Sequence, residues 1–205
     1  MSDFTVTEAT SWIKASAAAL DKEAAHLSDL DAAIGDGDHG ANMKRGFLAV
    51  EKKLDAAAPA DLGALFKTVG MTLLSTVGGA SGPLYGGFFL EIGKRGAGQS
   101  AWDAATLAEM LKAGLGDIVK RGKAQLGDKT MVDALTPALD AMTGDLAAAT
   151  AAAAKAAREA ATATAPLLAK KGRASYLGER SIGHQDPGAN SVALLLETLA
   201  DTCKG

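Results

Sequence analysis

Apolar positions recur at helical spacing along most of this chain. Ile13, Ala17, Leu20, Ala24 and Leu27 fall four, three, four and three residues apart, which places them on one helix face. Thr5 followed by Glu8 has the form of a capping box just ahead of that face, so the pattern predicts a first helix running to Asp31. Gly35, Gly37 and Gly40 interrupt it. A second helix is expected over 41–54, ended by Pro59, and a third over 62–77, stopping at Gly78-Gly79. The glycine-rich stretch 78–87 reads as a loop, followed by a short apolar segment with Phe88, Phe89 and Leu90. Leu107, Leu111, Leu115 and Ile118 mark the inner face of a helix over 101–121. Asp128 is the expected N-cap of the next helix, which Pro137 should kink or end. The stretch 143–170 is dominated by alanine and has no glycine after Gly144, which predicts a long, closely packed helix. A polar loop over 172–188 precedes a final helix marked by Val192, Leu195, Leu196 and Leu199. The pattern predicts about eight helices and no strand. With no internal repeat or linker, residues 1–205 read as one domain.

Composition narrows the class. Alanine, the best helix former, fills over a fifth of the positions, and aromatics make up only 4%. Runs of alternating β-branched residues are absent, which excludes an all-β fold. Charged residues at 22% and a net charge of −3 exclude a disordered chain and argue against nucleic-acid binding. Cys203 is the single cysteine, so no internal disulfide and no CxxC metal site is possible. The N-terminal MSDFTVTEAT lacks the basic start and apolar stretch of a signal peptide, and no uninterrupted apolar run of about 18 residues exists. A soluble cytoplasmic protein without membrane contact is expected.

The chemistry is concentrated in the loops, which antiparallel helices can gather at one end. Asp31, Asp36 and Asp38 place three carboxylates within eight residues among glycines. Such a group repels itself unless a cation sits among it, and hard oxygen donors favour Mg²⁺ or Ca²⁺ over Zn²⁺. An EF-hand does not fit: counted from Asp36, Gly40 and Phe47 stand where that loop needs oxygen ligands. Gly35 to Gly40 satisfies GxGxxG, but it follows a helix and carries acids where a pyrophosphate would approach. Gly78-Gly79-Ala80-Ser81-Gly82 exposes backbone N–H groups suited to phosphate or to a tight turn, and no P-loop motif is present. The 172–188 loop is too long to be structureless without a role, so it reads as a lid or binding loop that brings Arg180 for phosphate charge and His184 or Asp186 as polar partners. A smaller loop, 121–131, adds two lysines and a helix N-terminus.

Four motifs, in order, carry a resemblance over nearly the whole chain: Asp31-x4-Asp36-Gly-Asp38-His39-Gly40, Gly78-Gly79-Ala80-Ser81-Gly82-Pro83-Leu84-Tyr85-Gly86, Gly127-Asp128-Lys129-Thr130-Met131, and Gly172-Arg173-Ala174-Ser175-Tyr176-Leu177-Gly178-Glu179-Arg180-Ser181 through Asp186-Pro187-Gly188-Ala189. The sequence resembles the ADP-binding L subunits of dihydroxyacetone kinases. That resemblance implies an all-α fold, a closed barrel of eight antiparallel up-and-down helices with nucleotide bound at one end. It implies that Asp31, Asp36 and Asp38 hold two Mg²⁺ ions. It implies nucleotide contacts from His39, Asn42, Ala80, Ser81, Gly122, Thr130, Met131, Arg180, Asp186, Pro187 and Gly188, with Arg180 also stabilising transferred charge. In the phosphotransferase form, ADP is a resident cofactor, rephosphorylated in place by a phosphohistidine carrier. The phosphoryl group then passes to dihydroxyacetone on a separate substrate subunit. The absence of a substrate domain favours that form, with the nucleotide subunit of a split ATP-dependent dihydroxyacetone or short-ketose kinase as the alternative. A nucleotide-sensing regulatory module and a metal-dependent hydrolase built on the same carboxylates are the readings from other classes.

Overall fold

The computed structural model describes residues 3–204; the reading of Met1 and Ser2 as the start of a leaderless chain lies outside that range. The fold is all-helical apart from one small ribbon. Its α-helices are α1 (Val6–Lys22), α2 (Ala24–Ile34), α3 (His39–Ala56), α4 (Leu62–Thr76), α5 (Ser81–Arg95), α6 (Ala104–Gly122), α7 (Met131–Asp140), α8 (Leu146–Ala163) and α9 (Pro187–Cys203), with a 3-10 segment at Arg173–Ser181. Two strands not expected from the pattern, β1 (Phe4–Thr5) and β2 (Ala101–Trp102), pair antiparallel with Phe4 opposite Trp102. No helix among the described residues is long and apolar enough to cross a membrane.

Nine α-helices stand where eight were expected, because the first predicted helix is two. Glu23 ends α1 with φ −93° and ψ 7°, and the chain restarts as α2. The apolar spacing runs unbroken through this joint, so periodicity alone does not register it. The Thr5–Glu8 capping box forms as expected. Thr130, not Asp128, caps α7, using a second capping box with Asp133. Pro137 neither stops α7 at once nor replaces its cap: the helix continues to Asp140, since a proline so near the C-terminal end removes a single ladder bond. The alanine-rich helix is confined to α8, whose Ala149, Ala153, Ala157 and Ala161 form a buried stripe.

The largest departure is α5, which is helical through the stretch that reads as a glycine loop. Gly63 and Gly70 of α4 face Gly86 and Gly93 of α5. A Cβ on Gly70 would lie 2.7 Å from the Gly86 carbonyl oxygen, and one on Gly93 would lie 2.7 Å from the Lys67 amide nitrogen. These glycines permit backbone-to-backbone contact between two helices, and the packing offsets their poor helix propensity.

α1 packs on α3, α3 on α4, α4 on α5, α5 on α6, α6 on α7, α7 on α8, α8 on α9, and α9 on α1; α2 lies against α3 and α9. All five phenylalanines and both tryptophans are buried inside this assembly. Phe66 stacks between Phe89 and Trp102, at centroid distances of 6.0 and 5.6 Å. The Trp12 indole N–H donates to the Leu195 carbonyl at 2.7 Å. The few aromatics are therefore used to fill the core. Cys203 is buried, and that burial pushes its thiol up to about 11.

Candidate functional site

A cleft of about 450 Å³ opens where the loop ends converge. The α2–α3 loop, the N-terminus of α5, the α6–α7 loop, the 3-10 segment and the N-terminus of α9 all line it. The chain thus gathers its four motifs at one place.

On one wall, carboxylate oxygens of Asp31, Asp36 and Asp38 lie within 4.8 Å of one another. Asp31 is on the last turn of α2, and Asp36 and Asp38 are on the loop after it. The loop is held by Asp31 itself, whose Oδ2 accepts the backbone N–H of Asp38 at 2.9 Å and of His39 at 3.2 Å. Gly35 is dictated by this arrangement, because a Cβ there would collide with the Asp31 carboxylate. Three hard oxygen donors with this spacing and partial exposure fit a divalent cation of the Mg²⁺ type. Arg173 places its guanidinium 3.1 Å from Asp36 Oδ2 and is the cation that faces the cluster directly.

Opposite the acidic wall, Gly78, Gly79, Ala80 and Ser81 bring the N-terminus of α5 to the cleft. Ala80 offers no side-chain cap, so the first amides of α5 remain available to an anion. The N-terminus of α9 lies nearby, with Pro187 in its first turn and Asp186 as N-cap, accepting from the Ala189 amide at 2.7 Å. Burial pushes the Asp186 carboxyl up to about 7; Asp133 and Asp31 add to the shift, and the Ala189 hydrogen bond and Lys129 oppose it.

Behind these segments runs a buried polar chain. His39 Nδ1 meets Ser81 Oγ at 3.2 Å, and its Nε2 meets Ser191 Oγ at 2.9 Å. Ser191 donates to the Gly188 carbonyl at 3.0 Å and lies 2.7 Å from the Tyr85 hydroxyl. One proton arrangement satisfies every group: Nε2–H and Tyr85 O–H donate to Ser191, and Ser81 donates to Nδ1. Burial lowers the His39 pKa and favours that neutral ring, although Asp31 and Asp38 pull the other way. This chain ties α3, α5 and α9 together at the cleft. Lys129 serves the same end on the other side. It is almost fully buried, and its Nζ donates to the carbonyls of Ala165, Leu167 and Ser181. Asp133 accepts the Gly127 amide at 2.6 Å and the Thr130 amide at 2.7 Å, which shapes the α6–α7 loop.

Of the residues singled out from the sequence, Asp31, Asp36, Asp38, His39, Ala80, Ser81, Gly122, Thr130, Met131, Asp186, Pro187 and Gly188 all line the cleft. Two do not. Asn42 is buried behind Gly78, where its Oδ1 accepts from Arg45. Arg180 is exposed at the far end of the 3-10 segment and outside the lining. Arg173, Lys129, Tyr85 and Ser191 were not singled out. Arg173 and Arg180 share one motif, and nothing in its spacing says which faces the acids. The role of Lys129 depends on a left-handed backbone, φ 62°, that a lysine code does not announce.

The DAK2 domain matches residues 33–201. The chain belongs to the DAK2-domain family. Among DAK2 relatives, it is 43% identical over 204 residues to the PEP-dependent dihydroxyacetone kinase, ADP-binding subunit DhaL, of Escherichia coli (strain K12), covering 97% of both chains. It is 50% identical over 181 residues to ADP-binding subunit DhaL of PEP-dependent dihydroxyacetone kinase 1 from Listeria innocua, covering 86% of each. The dihydroxyacetone kinase of C. freundii, solved in complex with AMP-PNP and Mg²⁺, is similar in structure with a TM-score of 0.74 and 29% identity. The alignment spans 94% of this chain and 33% of that one.

Proposed function

We propose that this DAK2 chain is the ADP-binding subunit of a phosphoenolpyruvate-dependent dihydroxyacetone kinase. ADP stays bound, is phosphorylated in place by a phosphohistidine carrier, and passes the phosphoryl group to dihydroxyacetone on a separate substrate subunit in the cytoplasm. The observation that carries this reading is the cleft itself: three clustered aspartates face the open N-terminus of α5 across a space able to take a nucleotide. The near end-to-end match to relatives named as such subunits favours this form over a split ATP-dependent kinase. We also read the packing order α1–α3–α4–α5–α6–α7–α8–α9–α1 as the eight-helix barrel, with α2 added to it.

Asp31, Asp36 and Asp38 would hold two Mg²⁺ ions, which when bound offset phosphate charge and align the transferred group. Gly78 to Ser81 and the first turn of α9 present backbone amides to phosphate oxygens. His39, neutral and locked by Ser81 and Ser191, keeps the acidic loop in register with α5 without adding charge. Asn42 supports the same wall from behind Gly78. Gly122, Thr130, Met131, Asp186, Pro187 and Gly188 shape the rest of the nucleotide surface. We assign Arg180 to charge stabilisation upon closure of its segment, where Gly172 and Gly178 both adopt positive φ.

The test is reconstitution. Purified protein mixed with a dihydroxyacetone-binding subunit should turn over when phosphoenolpyruvate feeds the carrier. An equal rate with ATP alone, and no carrier, would overturn the phosphoenolpyruvate form in favour of the ATP-dependent one. Mass spectrometry of the purified protein should detect retained, intact ADP; its hydrolysis on the protein would favour the hydrolase reading.

A further inference from the structure

We infer that Arg173 is a built-in counter-cation of the acidic cluster, which releases Asp36 to an incoming metal ion and then grips the nucleotide phosphates. The inference rests on the Mg²⁺–nucleotide reading of the cleft. Three carboxylates brought this close need compensation before any metal arrives. Arg173 supplies it through a pair with Asp36 at 3.1 Å. The pair is accessible, with side chains 68% and 38% exposed, so it is worth little and yields readily to a divalent ion.

Its backbone is placed for this exchange. The chain just before it is pinned, with the Ala169 amide donating to Ser181 Oγ at 3.0 Å and the Lys170 amide to the Asp128 carbonyl at 3.0 Å. Gly172 then turns at φ 65°, and Arg173 begins the exposed segment. Arg173 lines the main cleft and also a shallower one beside it with Ile34, Gly35, Tyr176 and Leu177. The guanidinium therefore stands at the mouth between the acidic wall and solvent. Once displaced from Asp36, its planar fork is within the same opening as the phosphates, which it can engage through paired hydrogen bonds.

The two halves of this inference predict opposite effects of one substitution. Mn²⁺ alone, titrated into nucleotide-free protein and followed by electron paramagnetic resonance, should bind Arg173→Ala about two- to five-fold more tightly than wild type. Mg²⁺–ADP, titrated by calorimetry, should bind the same variant about ten-fold more weakly. Arg173→Lys keeps the charge without the fork, so it should hold Mn²⁺ affinity near wild type and recover only part of the Mg²⁺–ADP affinity. Mn²⁺ affinity equal to or below wild type in Arg173→Ala overturns the counter-cation role. Unchanged Mg²⁺–ADP affinity overturns the phosphate grip. If wild type itself fails to bind Mg²⁺–ADP, the nucleotide reading and the grip both fall, and the Mn²⁺ comparison still decides the counter-cation role.

Discussion

Asp36 and Asp186 are both carboxylates at the same cleft, yet their surroundings assign them opposite behaviour. Asp36 is half-exposed and paired with a cation, so it stays charged for metal. Asp36→Ala should weaken Mg²⁺–ADP binding by several kcal/mol in titration calorimetry, because metal charge loses a compensating ligand. Asp186 is buried, and its pKa of about 7 lies above the usual carboxylate value of 3.8. The fold thus favours its protonated form, a contribution fully present below about pH 4 and lost as pH rises through about 7. In metal-free protein, Asp186→Asn keeps the helix cap but cannot ionise, so its melting temperature should decline less than that of wild type between pH 4.5 and 8. Equal declines would remove Asp186 as the cause. The three aspartates were legible in the sequence because like charges at close spacing require an explanation. The buried chain of His39, Ser191 and Tyr85 was not, since its members come from three helices that only the tertiary fold brings together.

Elements were most legible where an apolar face decides the outcome, as in α4, predicted over 62–77 and found at Leu62–Thr76. They were least legible where close contact overrides propensity. α5 carries glycines at 82, 86, 87 and 93 and is nevertheless a helix, because its partner requires the absence of side chains. This makes glycine-to-alanine changes diagnostic. Gly116 sits within α6 with nothing within 4 Å of an added Cβ, so Gly116→Ala should stabilise by about 0.5–1 kcal/mol through helix propensity. Gly70→Ala should destabilise by about 1–3 kcal/mol, because its Cβ meets the Gly86 carbonyl oxygen and Leu90. Urea denaturation of the two variants should therefore shift in opposite directions, and a shift of the same sign would deny that contact sets the α4–α5 spacing.

For the whole molecule, composition alone indicated an all-helical chain with little aromatic surface, and each of its few large rings is buried. The gathering of four loops into one cleft was expected from antiparallel helices, but which side chains reach it depends on turns such as Glu23 and Gly172 that no periodicity encodes. Because that cleft joins α2, α3, α5, α7 and α9, filling it should stabilise the entire fold. Mg²⁺–ADP at about a hundred times its dissociation constant should add about 2.7 kcal/mol, seen as a rise in melting temperature that a chelator largely removes. Cys203 has a practical consequence for watching the cleft at work. The sole native thiol is buried, and its raised pKa keeps it protonated near neutrality, which makes it slow toward maleimides. A cysteine introduced at Tyr176, which is 87% exposed, can therefore carry a fluorophore or spin label without removal of Cys203. The segment over the cleft can then be followed in otherwise unaltered protein through each metal and nucleotide addition.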